Sequence, residues 1–181
     1  MRIPARCFFA FLLSLTLGLP AFAIDNSANE QNYPNYQVCF TPGQNCTQLI
    51  INLIDSAKTQ IRGQIYSFTS KPIAKALIRA RNRGVDVQII YDQSNQDPHE
   101  YSLMSFLLKQ NIPGYIDSPP GIAHNKVLII DKNTIETGSF NYTQSAQKNN
   151  AENVLIIHST ALSQEYLNNW EARKKQSSLP S

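Results

Sequence analysis

Histidine and cysteine are scarce in this sequence, which has three of each among its 181 residues. The histidines, His99, His124 and His158, form no His-x-x-x-His pair, and no Asp-x-Asp cluster accompanies them. The ligand sets typical of zinc and calcium sites are therefore missing. A Gly-x-x-x-x-Gly-Lys loop for nucleotide phosphates is missing as well. We predict a chemistry that needs neither a metal ion nor a cofactor.

Asp92 and Asp97, in "YDQSNQDPHE", are two acidic residues that follow a predicted buried strand. They have two interpretations, a cation site or a solvated loop. The sequence favours the solvated loop, because such clusters of Asn, Asp and Ser usually mark turns.

Long apolar runs are also lacking, except for "CFFAFLLSLTLGL" at residues 7–19. Arg2 and Arg6 precede the run, and Pro20 and "AFA" follow it. This pattern predicts a secretory signal peptide over residues 1–23, with cleavage after Ala23. A membrane anchor is the alternative, but the run is shorter than the ~20 residues of a spanning helix. We therefore expect an exported protein, periplasmic or secreted, without stable membrane association after cleavage.

Positive charge is not in large excess once the signal is set aside. Without its two arginines, 14 basic residues remain against 13 acidic ones, a net charge of +1. Any affinity for nucleic acid must then come from local charge placement rather than from the net charge. Seven basic residues fall within residues 58–83, and they either face phosphates or form a solvated helix face: Lys58, Arg62, Lys71, Lys75, Arg79, Arg81 and Arg83.

Two cysteines remain in the mature chain, Cys39 and Cys46, because Cys7 lies in the predicted signal. They bracket a Pro-Gly turn in "CFTPGQNC". An even pair in an exported chain predicts a short-range disulfide.

Segments of strand and helix character alternate along the chain after a polar leader at residues 24–35. Apolar periodicity and turn residues predict strands at 36–40, 63–69, 85–92, 124–131, 134–140 and 152–158. They predict helices at 47–61, from Ser70 to Gly84, at 100–110 and at 163–175. The segments 111–121 and 141–151 have no clear pattern. This alternation is typical of an α/β sandwich with a mixed sheet flanked by helices, here a single domain over residues 36–181.

Residues 123–157 contain a set of side chains suited to binding an anion. In an extended segment, His124 and Lys126 share a face, and so do Ser139 and Asn141. An ammonium, a hydroxyl and an amide would surround an anion as a phosphoryl group with developing charge requires. Asp131 lies at the strand end and falls on the opposite face, so it is better placed to orient or brace other groups than to attack phosphorus.

His124 has the chemistry of a nucleophile or a general acid near neutral pH. A carboxylate that fixes its tautomer would complete the set, and Glu152 is the candidate. A lone histidine is often structural, and Gly-Ser-Phe-Asn is often only a turn. Their joint occurrence at these spacings favours a site.

These residues resemble the signature of the phospholipase D superfamily, His-x-Lys-x4-Asp followed by Gly-Ser-x-Asn. The resemblance extends over nearly the whole mature chain and is strongest to short bacterial members, the exported metal-independent endonucleases. It implies a phospholipase D-like fold, a phosphohistidine intermediate, and catalytic or phosphate-binding roles for the matching positions: His124, Lys126, Asp131, Ser139, Asn141 and Glu152. Long members carry two motif copies and short ones dimerise, so the resemblance implies a homodimer that places both His124 side chains in one cleft.

The resemblance implies DNA or RNA, or both, as the substrate. Lys132 and Lys148 are candidate backbone contacts or ordinary surface lysines, and Tyr66 and Phe68 either line the cleft or pack in the core. A phospholipase is the second hypothesis, since the same motif handles lipid phosphodiesters and a single-motif mitochondrial branch is tied to cardiolipin. A phospholipase should have a membrane anchor or an exposed apolar rim around its site. A non-catalytic nucleic-acid-binding protein is the third, which a lost histidine or lysine would have indicated.

Overall fold

The computed structural model describes residues 35–181. The predicted signal peptide and all but the last residue of the predicted leader lie outside the described residues. Among residues 35–181, no helix is both long and apolar enough to cross a membrane.

Seven strands form one mixed sheet in the order β1-β7-β6-β5-β2-β3-β4. β2, β3 and β4 run parallel, and the remaining neighbours pair antiparallel. The strands are β1 (Asn35–Thr41), β2 (Gln60–Ile65), β3 (Asp86–Asp92), β4 (Gly114–Asp117), β5 (Lys126–Ile130), β6 (Thr134–Gly138) and β7 (Glu152–His158). The helices are α1 (Cys46–Ser56), α2 (Lys71–Asn82), α3 (Met104–Leu108), α4 (Gln144–Lys148) and α5 (Thr160–Gln176). The predicted α/β class with a mixed sheet and flanking helices is confirmed.

Two apolar clusters cover the two faces of the sheet. The larger one packs α1 and α2 on one face, with Ile50, Ile54 and Leu77 fully buried. The smaller one packs α5 on the other face through Leu167 and Trp170. β5, in the middle of the sheet, is buried along its whole length and apolar from Val127 to Ile130, as expected for a strand covered on both faces.

Several element boundaries differ from the predictions. The helix predicted over 47–61 ends at Ser56, and Ile61 belongs to β2, where it pairs with Val87 and Ile130. Ile61 continues the helical spacing of α1 by coincidence, because it is a buried apolar residue of the strand that follows the helix. The strand predicted over 63–69 is therefore β2, shifted towards the N-terminus.

Short elements account for the other differences. The helix predicted over 100–110 is confined to α3, while β4 and α4 form where no element was predicted. β4 is held by tertiary contacts, since Ile116 and Ser178 exchange two backbone hydrogen bonds of 2.8 and 3.0 Å. Thr143 caps the start of α4, because its hydroxyl accepts a hydrogen bond from the backbone N–H of Ala146. Five or fewer residues carry too little periodicity to predict such elements.

The predicted disulfide between Cys39 and Cys46 is present, with a Cα–Cα separation of 5.6 Å. It ties β1 to the first residue of α1. The Thr41 hydroxyl at the end of β1 donates to the carbonyls of Ala146 and Asn150. These hydrogen bonds fix α4 and the residues that follow it against the first strand.

Candidate active site

The motif segments meet at one end of the sheet. Lys126 is the first residue of β5, Gly138 is the last of β6, and Glu152 is the first of β7. The register pairs Val127 with Thr137 and Gly138 with Val154, so these three strand ends lie side by side. Antiparallel pairing thus brings together residues that are far apart in the sequence.

His124 is exposed, two residues before β5, and its ring lies against Tyr66. The ring centroids are 4.6 Å apart in an edge-to-face arrangement. The Lys126 ammonium lies 4.9 Å from the centre of the same Tyr66 ring and donates a 2.8 Å hydrogen bond to the carbonyl of His124. Tyr66 therefore contacts both predicted site residues, whereas Phe68 is buried in the core, as the packing interpretation expected.

Lys126 is a buried cation, with 5% of its surface exposed. Desolvation lowers the pKa of its ammonium, and the negative charge of Glu152 partly opposes this. None of the ion pairs within residues 35–181 involves Lys126. A buried ammonium without an ion-pair partner is suited to an anionic ligand, which would replace the lost hydration.

Ser139 and Glu152 are joined directly. The Ser139 hydroxyl donates a 2.5 Å hydrogen bond to Glu152 Oε2 and accepts one from the backbone N–H of Asn153 at 3.1 Å. Asn150 donates to the other carboxylate oxygen at 2.8 Å. In the described chain the hydrogen bonds of Glu152 go to these two side chains and none reaches His124, so its action on the histidine stays a prediction.

The Asn141 amide is not used to hold the fold. Its Oδ1 is buried and has no hydrogen-bond partner among the described residues. An amide oxygen only accepts hydrogen bonds, so a phosphoryl oxygen would be bound by the Asn141 Nδ2 group, the donor of the same amide.

Gly138 is required by the close approach of β6 and β7. A Cβ at this position would lie 2.2 Å from the carbonyl oxygen of Asn153. No side chain fits there without displacing the backbone, which explains the glycine of the Gly-Ser-Phe-Asn segment. The same approach presents the next residue, Ser139, to the backbone of Asn153.

Asp131 follows the last residue of β5, so the strand separates it from Lys126. Its carboxylate accepts hydrogen bonds of 2.7 to 3.0 Å from the backbone of Lys58, Thr59 and Gln60 and from the Thr59 hydroxyl. Burial would raise its pKa, but these hydrogen bonds hold the pKa below the usual value. The structure does not bring Asp131 together with the other motif residues. This position fits the predicted role of Asp131 in orienting or bracing other groups.

Asp92 is not a solvated loop residue, which corrects the prediction. It is 1% exposed, and its carboxylate accepts hydrogen bonds from the backbone N–H groups of Ser94 at 3.0 Å and Ala123 at 2.7 Å. The second bond fixes the residue next to His124. Within residues 35–181 no three His, Cys, Asp or Glu side chains form a group able to hold a metal ion, and metal independence stays a prediction.

Glu136 and Tyr142 form a buried pair that the sequence analysis did not identify. The Tyr142 hydroxyl donates a 2.5 Å hydrogen bond to Glu136 Oε2. Burial raises the pKa of Glu136 to about 8, although the bond from Tyr142 acts in the opposite direction. The carbonyl of Tyr142 accepts from the backbone N–H groups of Thr69 and Ser70, which ties the Asn141 segment to the loop before α2. The signal in the sequence was a glutamate in the middle of a predicted strand, directly after Ile135.

The two candidate lysines lie in different places. Lys148 is the last residue of α4, in the segment between Asn141 and Glu152. Lys132 lies next to Asp131, beyond the opposite end of β5, and lines a separate hollow with Gln60 and Arg62. Lys148 therefore remains a candidate for substrate contact, whereas Lys132 is an ordinary surface lysine.

Comparison with known proteins supports the family resemblance that the motif indicates. The family model described as "Cardiolipin synthase, PLD-like domain" matches residues 50–173. A phospholipase D of Rickettsia conorii is 44% identical over 169 residues, 92% of this chain and 84% of the relative. The human mitochondrial cardiolipin hydrolase is 31% identical over 114 residues, 63% of this chain and 45% of that protein.

Two solved structures share the fold over nearly their whole length. Nuc from Salmonella typhimurium, a phospholipase D family member, superposes with a TM-score of 0.75 at 38% identity, covering 80% of this chain and 96% of its own. NucT from Helicobacter pylori superposes with a TM-score of 0.73 at 28% identity, covering 80% of this chain and 98% of its own. These matches, with His124, Lys126, Ser139 and Glu152 assembled at one sheet end, show that the chain belongs to the phospholipase D superfamily and is a phosphodiesterase of that superfamily.

Proposed function

We propose that this phosphodiesterase is a metal-independent nuclease that cleaves DNA, RNA or both through a phosphohistidine on His124. The main support is the pairing of an exposed imidazole with a buried ammonium that has no ion-pair partner in the described chain. The near-complete coverage of Nuc and NucT supports placement among short, single-motif members. The resemblance noted in the sequence associates that branch with nucleic acids.

The proposed reaction has two steps. In the first, an imidazole nitrogen of His124 attacks phosphorus while the bond to the leaving oxygen breaks, and a second histidine protonates that oxygen. In the second step, that histidine takes a proton from water, the water oxygen attacks phosphorus, and the bond to His124 breaks. Lys126, Ser139 and Asn141 hold the phosphoryl oxygens as negative charge develops.

The second histidine is proposed to be His124 of the partner subunit in a homodimer. His158 is unsuited, since it ends β7 while Glu152 begins the strand at the site, and its ring is hydrogen-bonded to the Thr134 hydroxyl at 2.9 Å. A two-fold axis beside the sheet end would bring two copies of one histidine into a single cleft.

Export of the protein is proposed on the basis of its predicted signal peptide. The Cys39–Cys46 disulfide supports it, because disulfides persist in oxidising compartments. The mass of protein recovered from outside the cytoplasm tests this proposal. A chain that begins at Ile24 is expected, and an intact N-terminus would contradict it.

A phospholipase is the second candidate. The Rickettsia relatives carry the name phospholipase D, and the human relative is named a cardiolipin hydrolase. The structure adds one favourable observation, since Ile122, two residues before His124, is 55% exposed. An apolar side chain beside the site is what a lipid substrate would contact.

Degradation of plasmid, single-stranded DNA and RNA in excess EDTA tests the proposal. The protein beginning at Ile24 is compared with its His124→Ala variant, with His99→Ala as the matched histidine control. We expect wild type and the control to degrade nucleic acid and His124→Ala to be inactive. Hydrolysis of cardiolipin or phosphatidylcholine, without degradation of nucleic acid, would establish the second candidate instead.

A further inference from the structure

An exposed tyrosine stands among three adjoining hollows on the surface beside α2. Tyr101 is 61% exposed and lines all three, which have volumes of about 740, 350 and 140 Å³. Lys71 lines the two larger hollows, with Lys148 in the first and Lys75 and Phe106 in the second. We call this surface the Tyr101 groove, defined by Lys71, Lys75, Tyr101, Phe106 and Lys148.

The groove is continuous with the candidate active site. Its smallest hollow is lined by both Tyr101 and Tyr66, and the Tyr66 ring lies 4.6 Å from that of His124. The largest hollow is lined by Thr69 and Ser70, whose backbone N–H groups bind the carbonyl of Tyr142, next to Asn141. A polymer bound at His124 therefore has a direct path into the groove.

The charges of the groove are not neutralised by the protein. Lys71 and Lys75 are exposed and lie four residues apart, on one face of α2. The ion pairs within residues 35–181 include neither of them, whereas Arg79, the next basic residue on that face, is bound to Asp55 at 2.7 Å. Among the residues that line the three hollows, Glu100 is the one carboxylate, and it lines only the smallest hollow.

The structure thus divides the basic cluster of residues 58–83. Arg62 pairs with Asp86, Arg79 and Arg83 pair with Asp55, and Arg81 donates to the carbonyl of Asn111. These arginines have roles in the fold. Lys71 and Lys75 lack such roles and border the groove, so they are the members of the cluster that fit the phosphate-facing interpretation.

Exposed aromatic rings between lysines suit an unpaired nucleic-acid strand. Every base has a flat face that stacks on an aromatic side chain, while lysines follow the backbone without reading sequence. A membrane-binding face would instead present adjoining apolar side chains on a convex surface, with lysines around them. In the groove, Lys71 lines the two larger hollows together with Tyr101, and the other lining groups include the polar side chains of Asn45, Gln144 and Ser102.

We propose that the Tyr101 groove binds the unpaired strand on one side of the scissile phosphate, with a base stacked on Tyr101 and phosphates at Lys71 and Lys75. The inference rests on the proposed nuclease function and assigns the surface that selects single strands. Tyr101 is a binding residue here and takes no part in bond breaking.

Binding of a fluorescent oligothymidylate tests this, in a His124→Ala background that prevents cleavage. Tyr101→Ala should weaken binding roughly fivefold to a hundredfold, the range for loss of one stacked base. Tyr101→Phe, which keeps the ring, should bind as the parent does. Tyr36→Ala is the matched control, because Tyr36 is similarly exposed but lies on β1. Thermal unfolding of each variant checks that the fold is retained.

The lysines are tested by salt dependence. The double variant Lys71→Gln/Lys75→Gln should reduce the slope of log affinity against log salt by about 1.4, since each phosphate contact to a single strand contributes about 0.7. The double variant Lys132→Gln/Lys175→Gln removes the same charge elsewhere on the surface and should leave the slope unchanged.

Three outcomes would overturn the inference. Tyr101→Ala could bind oligothymidylate as tightly as Tyr36→Ala does. The two double lysine variants could show the same slope of log affinity against log salt. The groove variants could instead lose binding to phosphatidylserine vesicles while keeping the oligonucleotide. Failure of the nuclease function is seen separately, because His124-intact protein would then cut no nucleic acid.

Discussion

Ser139 and Glu152 are bound to each other by a hydrogen bond of 2.5 Å across the ends of β6 and β7. The serine proposed to hold phosphate and the acid proposed to support His124 are thus one unit in the described chain. Glu152 also acts on Lys126, whose pKa its negative charge raises against the larger effect of desolvation. Two of the three groups proposed to bind phosphate oxygens, Ser139 and Lys126, therefore depend on this carboxylate.

Replacing Glu152 tests this dependence. Glu152→Gln should lower kcat about tenfold to a hundredfold, the equivalent of a hydrogen bond to a charged group, while KM changes less. Steady-state cleavage of an oligonucleotide measures both constants. Glu165→Gln, an exposed change on α5, is the control. A kcat equal to that of the control would show that Glu152 is not needed for catalysis.

Gly138→Ala should destabilise the protein by about 3 kcal/mol, the scale of an overpacked site, because the new Cβ would meet the Asn153 carbonyl at 2.2 Å. Urea unfolding measures the change. Gly121→Ala is the matched control, since nothing lies within 4 Å of a Cβ there. Equal stability of the two variants would contradict the account of the β6–β7 contact.

The buried Glu136 carboxyl should make the folded protein less stable as pH rises. Burial raises its pKa from 4.5 to about 8, so the folded chain keeps a proton that the unfolded chain releases above pH 4.5. The stabilisation is complete below pH 4.5 and disappears as pH rises to about 8, a loss on the order of 4 kcal/mol.

Urea unfolding at pH 5 and pH 8 measures this loss. Glu136→Gln, which is neutral at both values, should show a smaller decrease between them than wild type. An exposed variant, Glu171→Gln, should behave like wild type. Identical pH dependence of wild type and Glu136→Gln would show that the carboxyl is ionised in the folded protein.

Mixed dimers test the proposal that two subunits share one cleft. Wild type and His124→Ala chains are unfolded together in equal amounts and refolded. If each cleft needs two histidines, about a quarter of the dimers remain active, whereas independent subunits would keep about half of the activity. Light scattering on the same samples gives the mass of the active species. Activity in a sample whose mass is that of one chain would exclude the dimer.

The sequence predicted the elements whose pattern is long and local. α2, with Pro72 in its first turn and Gly84 after its end, and the buried strand β3 lie close to their predicted positions. The phospholipase D motif identified the family because its spacing is kept within short segments. The gathering of Lys126, Ser139 and Glu152 follows from predicted strands once their pairing is known.

Features that depend on distant contacts were not predictable. Asp92 looked like a loop residue because its partner, the Ala123 N–H, is 31 residues away. Ile61 fitted the helical spacing of α1, and only pairing with β3 and β5 decides that it lies in a strand. The Tyr101 groove brings together α2, α3 and α4, whose packing no local pattern encodes.

The central claim is that His124 forms a covalent bond to phosphorus. Wild-type protein is mixed with a short oligonucleotide, quenched in alkaline denaturant during turnover, digested and examined by mass spectrometry. We predict a nucleotide fragment on the peptide that contains His124, and none in the His124→Ala variant. A fragment attached to another residue, or cleavage that proceeds undiminished in His124→Ala, would contradict the account.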